Sequence, residues 1–564
     1  MEEYNETKLP GAEELTKEVN EESKVQERKG IKNFFIGWIK DDYDKLFLFV
    51  LLAAFIIRII VFMKTYDQAL WWDAADYMAS AKRLAGVNEN LIDIWYYRRG
   101  FLWALIGTVF FKIGLGELGV RFLVVLLSTG IVFLTYFLIS EMFNKKLALL
   151  VSIGVTFSWI FLFFTGRLLT EIPATFFLLT ALLFFWKGYM KNLGSKYFVL
   201  FGVFAALTVL TRMQYLMFAF PILILIIVRE KHKIFTNKKL WLSIIIFIII
   251  IIPHLYIYNK HFGNPFLDLT NYYLGIGGVS KSGEVGVELA KFSDLFLYFN
   301  NLPYILDGDM KGYHSLFTLT PVYVLFVIGF FLFFMDLFLG LDRVFNNELI
   351  QKKFFILCFI FLSFLFLGYM APQLEQRYVM PVIPFLFLIA VYPSVLLESI
   401  LKSFSKNKTL IIITAIILIL ILIPNYNSGF NLIDAKKLSY TEVKMAGEWI
   451  KQNSAPEDIV IGSGLPQLTY YSERSVYPFE LAYRRDLTKG NESDLNKFIL
   501  ENKPKYLVIS AYEREEPWAF NYPQKHKDIL IPIQAYPNQQ QPIVIIYKFD
   551  YSNKNALIKL DFEG

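Results

Sequence analysis

Two uncharged stretches, LSIIIFIIIII at residues 242–252 and LIIITAIILILILI at residues 410–423, decide the fold of this chain. Each belongs to a longer apolar segment, and several other segments of the chain have the same character. An α-helix needs roughly 20 mostly apolar residues to cross a hydrocarbon core about 30 Å thick. The sequence therefore predicts a polytopic α-helical membrane protein.

The composition supports the same class. Of 564 residues, 55% are hydrophobic and 18% aromatic, with 56 phenylalanines, which is more apolar surface than a water-soluble chain would bury. Lys and Arg cluster between apolar segments, so the net charge of +6 fits the positive-inside rule and not a nucleic-acid surface. The single Cys358 excludes a disulfide framework. Residues 1–30 are acid-rich without an apolar core, and we expect residues 1–44 to form a disordered or amphipathic cytosolic tail with no cleavable signal peptide.

About eleven transmembrane helices are predicted within a membrane domain of residues 45–425. They lie near residues 46–63, 118–142, 147–165, 172–187, 197–211, 214–228, 240–258, 317–339, 353–370, 380–398 and 409–424. A further apolar stretch, 101–113, is not counted, because about thirteen residues are short for a span and suit an interfacial or re-entrant helix.

Charge gives the orientation of these helices. With 101–113 left out, every strongly basic connection, including the one that contains Lys233, falls on the same side of the membrane. The positive-inside rule makes that side cytosolic. The loops 64–117 and 259–316 and the C-terminal domain then lie outside, and these loops hold most of the residues suited to chemistry.

Residues 426–564 are predicted to form a soluble, extracytosolic α/β domain. A helix should start near Tyr440, where Ser439 and Glu442 have capping-box spacing. Strand-like runs follow at 459–463, 506–510 and 543–549, with a helical pattern between the first two. The domain has neither a glycine-rich phosphate loop nor metal-ligand spacing, so we expect it to assist recognition and not to perform chemistry.

The first external loop carries a group of candidate catalytic and cavity-lining residues. Trp72 and Asp73 are followed by Asp76 and Tyr77, and both carboxylates share a face if this stretch is helical. An aromatic belt with solvated acids at the membrane edge would explain the same residues. Arginines follow at Arg98 and Arg99.

Further candidates lie at the external ends of later spans. Glu171 either stabilises the positive end of a helix dipole or faces Asp73 across a cavity. Arg212 and Arg377 either reach toward lipid headgroups or clamp a lipid phosphate, whose oxygens match guanidinium donors. Their neighbours could line the same cavity, although for the histidine a structural role is the stronger alternative: Glu375, Tyr378, His254 and Tyr256.

The pattern resembles the polyprenyl-phosphate-sugar-dependent glycosyltransferases of the GT-C fold, in the branch of the protein O-mannosyltransferases and the aminoarabinose transferase of lipid A. The matching elements, in chain order, are WDAADY at 72–77, RRGFL at 98–102, the segment from VRF at 120–122 to MFNKKLA at 142–148, RLLTE at 167–171 and RYVMPVIP at 377–384. The resemblance covers residues 45–400 and suggests an archaeal member. Where the family usually has Glu after the first-loop Asp, this chain has Ala74, and where relatives often have Arg-Pro-Pro it has Arg98-Arg99-Gly100.

The resemblance implies inverting sugar transfer from a polyprenyl-phosphate donor, such as dolichyl-phosphate mannose, to a protein, lipid or glycan acceptor on the external face. Asp73 is then the candidate base, with Glu171 as its partner, and Asp76 could replace the carboxylate missing at Ala74. Arg377 and Arg212, assisted by Arg98 or Arg99, are the candidates for the donor phosphate. The fold leaves room for a divalent metal ion, which nothing in the sequence fixes. The alternatives are a multispan transporter and an inactive relative.

Overall fold

The structure is a computed structural model. It describes residues 41–87, 100–266, 295–300, 302, 320–370, 375–394, 407–481, 490–513, 515–538 and 541–562. The described residues up to about 436 are mostly helical, and a domain containing a β-sheet follows.

The helices of the first part are α1 (Asp42–Thr65), α2 (Trp72–Leu84), α3 (Leu102–Lys112), α4 (Gly116–Met142), α5 (Lys145–Phe157), α6 (Trp159–Thr165), α7 (Glu171–Phe185), α8 (Ser195–Thr211), α9 (Ala219–Glu230), α10 (Lys238–Phe262), α11 (Leu297–Asn300), α12 (Thr320–Leu339), α13 (Glu348–Met370), α14 (Ile383–Val391) and α15 (Asn407–Lys436). A π-helical turn, Trp186–Met190, extends α7. Short 3₁₀ segments, Met213–Phe218, Lys231–Thr236 and Gln376–Val382, flank α9 and precede α14.

Within the described residues, eight helices are long and apolar enough to cross a membrane, or nine if α5 and α6 form one span bent by 53°. Two more predicted spans, 197–211 and 380–398, fall on shorter apolar helices, Ser195–Thr211 and Gln376–Val391. The uncounted stretch 101–113 is α3, an apolar helix of 11 residues. The chain is therefore a multi-pass membrane protein.

The break between α5 and α6 shows how the membrane part satisfies its backbone. Ser158 is extended, with φ −66° and ψ 120°, so the first N–H of α6 has no helical acceptor. Asn425 of α15 is buried and its Oδ1 accepts a hydrogen bond from the backbone N of Trp159 at 3.0 Å. Because water is absent from the bilayer core, an internal acceptor of this kind is what makes a broken helix tolerable there.

Close helix packing depends on small residues. A Cβ on Gly202 of α8 would lie 2.5 Å from the carbonyl oxygen of Ser243 in α10. Membrane helices lack a hydrophobic drive to associate with one another, so contact between backbones at small residues is a main source of their packing energy. The pair α8 and α10 packs closely because Gly202 has no side chain.

The C-terminal domain is built of α16 (Thr441–Asn453), β1 (Ile459–Gly462), α17 (Leu465–Ser472), β2 (Ser475–Tyr477), α18 (Glu492–Asn502), β3 (Tyr506–Ser510), α19 (Pro517–Lys525), β4 (Leu530–Asn538), β5 (Gln541–Phe549) and α20 (Lys554–Phe562). The strand order is β2-β1-β3-β5-β4. β1 is parallel to β2 and β3, whereas β5 is antiparallel to β3 and β4. The predicted α/β class is confirmed.

Some local predictions for this domain differ from the structure. The runs at 459–463, 506–510 and 543–549 correspond to β1, β3 and β5, but β2 and β4 were not predicted. The expected capping box at Ser439 does not form. Instead, Tyr440 precedes α16 in the left-handed conformation, with φ 65° and no side-chain cap.

Candidate active site

Asp73 lies in the first turn of α2. Trp71 ends the preceding segment in an extended conformation, and its carbonyl accepts the hydrogen bond from Ala75 N at 2.8 Å that starts the helix. A carboxylate in a first helical turn is stabilised by the positive end of the helix dipole. Asp76 and Tyr77 follow one turn later and are buried, whereas 31% of the Asp73 side chain is exposed. Asp73 is thus the more accessible of the two carboxylates.

Glu171 begins α7 and is almost completely buried, at 1% exposure. Arg212, at the end of α8, donates from Nη1 to Glu171 Oε1 at 2.8 Å and to Thr170 Oγ1 at 2.9 Å. The position at a helix start is the one that a dipole-stabilising acid would take. The same carboxylate also takes part in a wider ion-pair network.

Arg377 connects this network to α2. Its Nη1 donates to Asp73 Oδ2 at 3.3 Å, and its Nε lies 3.3 Å from Glu171 Oε1. It also pairs with Glu375, with Nε 2.6 Å from Oε2 and Nη2 3.0 Å from Oε1. One guanidinium therefore joins carboxylates from three separate segments of the chain.

The cluster contains three carboxylates and two guanidinium groups. The described parts of the chain contain no group of three or more His, Cys, Asp or Glu residues arranged to hold a metal ion. Burial raises the pKa of Glu375, and the charges of Asp73 and Glu171 raise it further, against the opposing effect of Arg377. The ring of Tyr378 lies beside both arginines, 4.9 Å from the guanidinium carbon of Arg212 and 5.4 Å from that of Arg377.

Three other predicted site residues have contacts or exposure of their own, and two lie outside the described residues. Trp72 Nε1 donates to Glu513 of the C-terminal domain. His254 is buried and its ring stacks on Phe101, with centroids 5.1 Å apart, while Tyr256 is 68% exposed. Arg98 and Arg99 lie in the segment 88–99, which the structure does not describe.

The C-terminal domain holds the segment that carries Asp73. The backbone N–H of Leu70 donates to the Tyr471 hydroxyl at 2.7 Å, and Tyr470 donates to Glu117 Oε2 at 2.6 Å. Lys82 of α2 pairs with Glu473 at 2.8 Å. Because these contacts flank Asp73 on both sides, the docked domain fixes the position of α2.

Two buried arginines near the cluster were not among the predicted site residues. Arg121 donates to the carbonyl oxygens of Thr65 at 2.9 Å and Gln68 at 2.6 Å, and it pairs with Glu117. Arg167 stacks on Trp71, with its guanidinium carbon 3.7 Å from the ring centroid. Both belong to the sequence motifs described above, and their charge within apolar surroundings was the available signal.

The sequence matches a family model over part of its length. Residues 99–257 match the model of the dolichyl-phosphate-mannose-protein mannosyltransferase family. Comparison with curated proteins gave no significant match.

Two solved structures resemble most of the chain. ArnT from Cupriavidus metallidurans, bound to undecaprenyl phosphate, superposes with a TM-score of 0.60 at 13% identity, covering 88% of this chain and 98% of that one. The archaeal oligosaccharyltransferase AglB from Archaeoglobus fulgidus, in complex with an inhibitory peptide and a dolichol-phosphate, gives a TM-score of 0.55 at 13% identity, covering 92% and 75%.

These structural matches define the fold. The chain has the GT-C fold of these two solved structures, as the sequence resemblance predicted.

Proposed function

We propose that this protein transfers a sugar from a polyprenyl-phosphate donor to an acceptor hydroxyl on the external face of the membrane, with inversion at the anomeric carbon. The observation that carries the proposal is the contact of Arg377 with Asp73, Glu171 and Glu375 in a GT-C fold. The solved relatives carry undecaprenyl phosphate or a dolichol-phosphate. The family description favours dolichyl-phosphate mannose as the donor.

The proposed step breaks one bond and forms one. Asp73 accepts the proton of the acceptor hydroxyl while that oxygen attacks the anomeric carbon from the face opposite the phosphate. The bond from the anomeric carbon to the phosphate oxygen breaks, and its electron pair leaves with the polyprenyl phosphate. A positioned base and preorganised positive charge are the two requirements of this chemistry. Asp73 supplies the base, and Arg377 and Arg212 supply the charge.

The ion pairs suggest how donor binding prepares the base. Arg377 holds Asp73 at 3.3 Å and Glu375 at 2.6 Å, so its contact with Asp73 is the longer of the two. A phosphate that takes donors from Arg377 competes with its longer contacts, to Asp73 and Glu171, before it competes with Glu375. Release of Asp73 from the guanidinium then makes it a stronger proton acceptor, because a neighbouring cation stabilises the ionised carboxylate.

The position of the charges favours transfer over transport. Asp73 and Glu171 lie in first helical turns, and Arg212 and Glu375 lie at or outside the ends of helices. A secondary transporter would place its charges near the bilayer midplane. The acceptor classes considered are protein, lipid and glycan. A protein acceptor is the first to test, because AglB was solved in complex with a peptide.

A donor-cleavage assay tests the proposal. Purified protein is supplied with radiolabelled dolichyl-phosphate mannose and a membrane extract as the source of acceptor, and release of dolichyl phosphate is measured. Release of dolichyl phosphate should depend on the extract, and the label should appear in a product other than free mannose. Label that crosses a vesicle membrane while still attached to its lipid would favour transport and contradict it.

A further inference from the structure

Arg167 is a buried cation between α6 and α7, with 5% of its surface exposed. Its guanidinium carbon lies 3.7 Å above the ring centroid of Trp71 and 4.8 Å from that of Phe163. Tyr440, at the start of the C-terminal domain, packs against the edge of Trp71, with centroids 6.3 Å apart. The arginine is thus covered by the rings of Trp71 and Phe163, and a ring of the C-terminal domain packs against the same tryptophan.

The donors at this position lack acceptors. Among the described residues, no oxygen accepts a hydrogen bond from the Arg167 guanidinium, and no carboxylate pairs with it. The buried indole N–H of Trp71 also has no acceptor. Two other buried arginines differ: Arg121 donates to two carbonyl oxygens and pairs with Glu117, and Arg474 donates to the carbonyl and hydroxyl oxygens of Ser454.

A mostly buried guanidinium without an acceptor is costly, because its N–H donors have lost much of their hydration and gained no partner in the protein. Burial lowers the pKa of Arg167, and the charge of Arg121 lowers it further. An anion that accepts hydrogen bonds from the guanidinium would satisfy its donors and stabilise its positive charge. Phosphate and carboxylate fit its planar fork best.

We propose that Arg167 and the indole N–H of Trp71 form an anion-binding subsite for a phosphate or carboxylate group. Trp71 stands two residues before Asp73, and Arg167 stands four residues before Glu171, so the segments that carry the catalytic candidates also carry this subsite. The anion comes either from the polyprenyl phosphate of the donor or from an acidic group of the acceptor. That assignment rests on the proposed glycosyl transfer, whereas anion binding itself does not.

The test measures binding to purified full-length protein without turnover. Undecaprenyl phosphate is compared with uncharged undecaprenol, and methyl phosphate serves as a small anion without a lipid chain. Arg167→Gln should weaken binding of one phosphate probe about 10-fold or more and leave undecaprenol unaffected. Loss confined to undecaprenyl phosphate assigns the subsite to the donor, and loss of methyl phosphate with unchanged undecaprenyl phosphate binding assigns it to the acceptor.

Thermal unfolding of the ligand-free variants separates binding from a structural role. Removing an unpaired buried charge should leave the melting temperature of Arg167→Gln equal to or above that of the wild type. Arg474→Gln, which breaks several internal hydrogen bonds, should lower it. Trp71→Phe removes the unpaired N–H and keeps an aromatic ring. It should lower the affinity for the same phosphate probe that Arg167→Gln affects. Wild-type affinity of Arg167→Gln for both phosphate probes, or a melting temperature that falls as in Arg474→Gln, would overturn the subsite.

Discussion

Arg377 Nη1 lies 3.3 Å from Asp73 Oδ2, although 304 residues separate the two in the chain. This contact joins the start of α2 to the segment before α14, and Glu171 at the start of α7 lies 3.3 Å from the same guanidinium. Two helix starts and the segment before α14 therefore meet at one arginine. In the proposed reaction, a phosphate that binds Arg377 competes with these carboxylates.

Arg377→Ala should raise the KM for the polyprenyl-phosphate donor about 10-fold or more, because a charge-assisted hydrogen bond to phosphate contributes about 1.5–3 kcal/mol. Initial rates at varied donor concentration measure this effect. Arg343→Ala is the control, since Arg343 is largely exposed and follows α12 away from the carboxylate cluster. Donor affinity unchanged by Arg377→Ala would remove this residue from the donor site.

The membrane topology can be tested by cysteine labelling. Replacing Cys358 by Ser gives a background without thiols, into which Lys233→Cys and Lys527→Cys are introduced one at a time. A membrane-impermeant maleimide applied to the external side should label position 527 and spare position 233. The reverse pattern would put the C-terminal domain in the cytosol and overturn the external active site.

The docking of the C-terminal domain on α2 should depend on pH through Glu473. This carboxylate pairs with Lys82 of α2 at 2.8 Å and with Lys451 of α16 at 2.7 Å. Burial favours its neutral form, but Lys451 and Lys82 outweigh burial and hold its pKa below the usual value. A lowered native pKa adds stability above the unfolded value of about 4.3, and that stability is lost as the pH falls further.

Glu473→Gln should therefore lower the melting temperature at pH 7, and the difference from the wild type should shrink below about pH 4, where Glu473 is protonated in the wild type as well. Scanning calorimetry across this range measures both. Asp528→Asn is the control, because it also removes one carboxylate but at an exposed position. A Glu473→Gln difference that is the same at pH 4 and pH 7 would show that the ion pairs do not stabilise the docked domain.

Periodicity and charge predicted the membrane part well, because spans such as α10 and α15 carry their own signal in length and apolarity. Asp73, Glu171, Arg212 and Arg377 were selected as charged residues at external helix ends, and the structure brings these four together. Their carboxylate–arginine pairing could not be predicted, since the contacts cross hundreds of residues. Strand β2 has only three residues, and β4 contains Pro532 and Pro537, so neither shows a strand pattern in sequence.

The contacts between domains were also beyond sequence reasoning. Tyr470, Tyr471 and Glu473 look like ordinary residues at the end of a helix, and their contacts with Glu117, Leu70 and Lys82 exist only once two separate domains have folded and docked. The unpaired state of Arg167 is likewise a property of its surroundings. The sequence shows the arginine within a motif but not the missing acceptor.

The role of Asp73 as the catalytic base is tested with the variant Asp73→Asn, and the measurement is the release of polyprenyl phosphate from a radiolabelled donor. Asn keeps the size and hydrogen-bonding capacity of Asp but cannot accept the proton, and a positioned base contributes roughly 10²- to 10⁴-fold to rate. Turnover of Asp73→Asn should fall by a factor in that range while donor binding and folding are retained. Asp76→Asn should lose less turnover, unless Asp76 replaces the carboxylate missing at Ala74. Wild-type turnover of Asp73→Asn would contradict the assignment of the base and move the chemistry to Glu171 or Asp76.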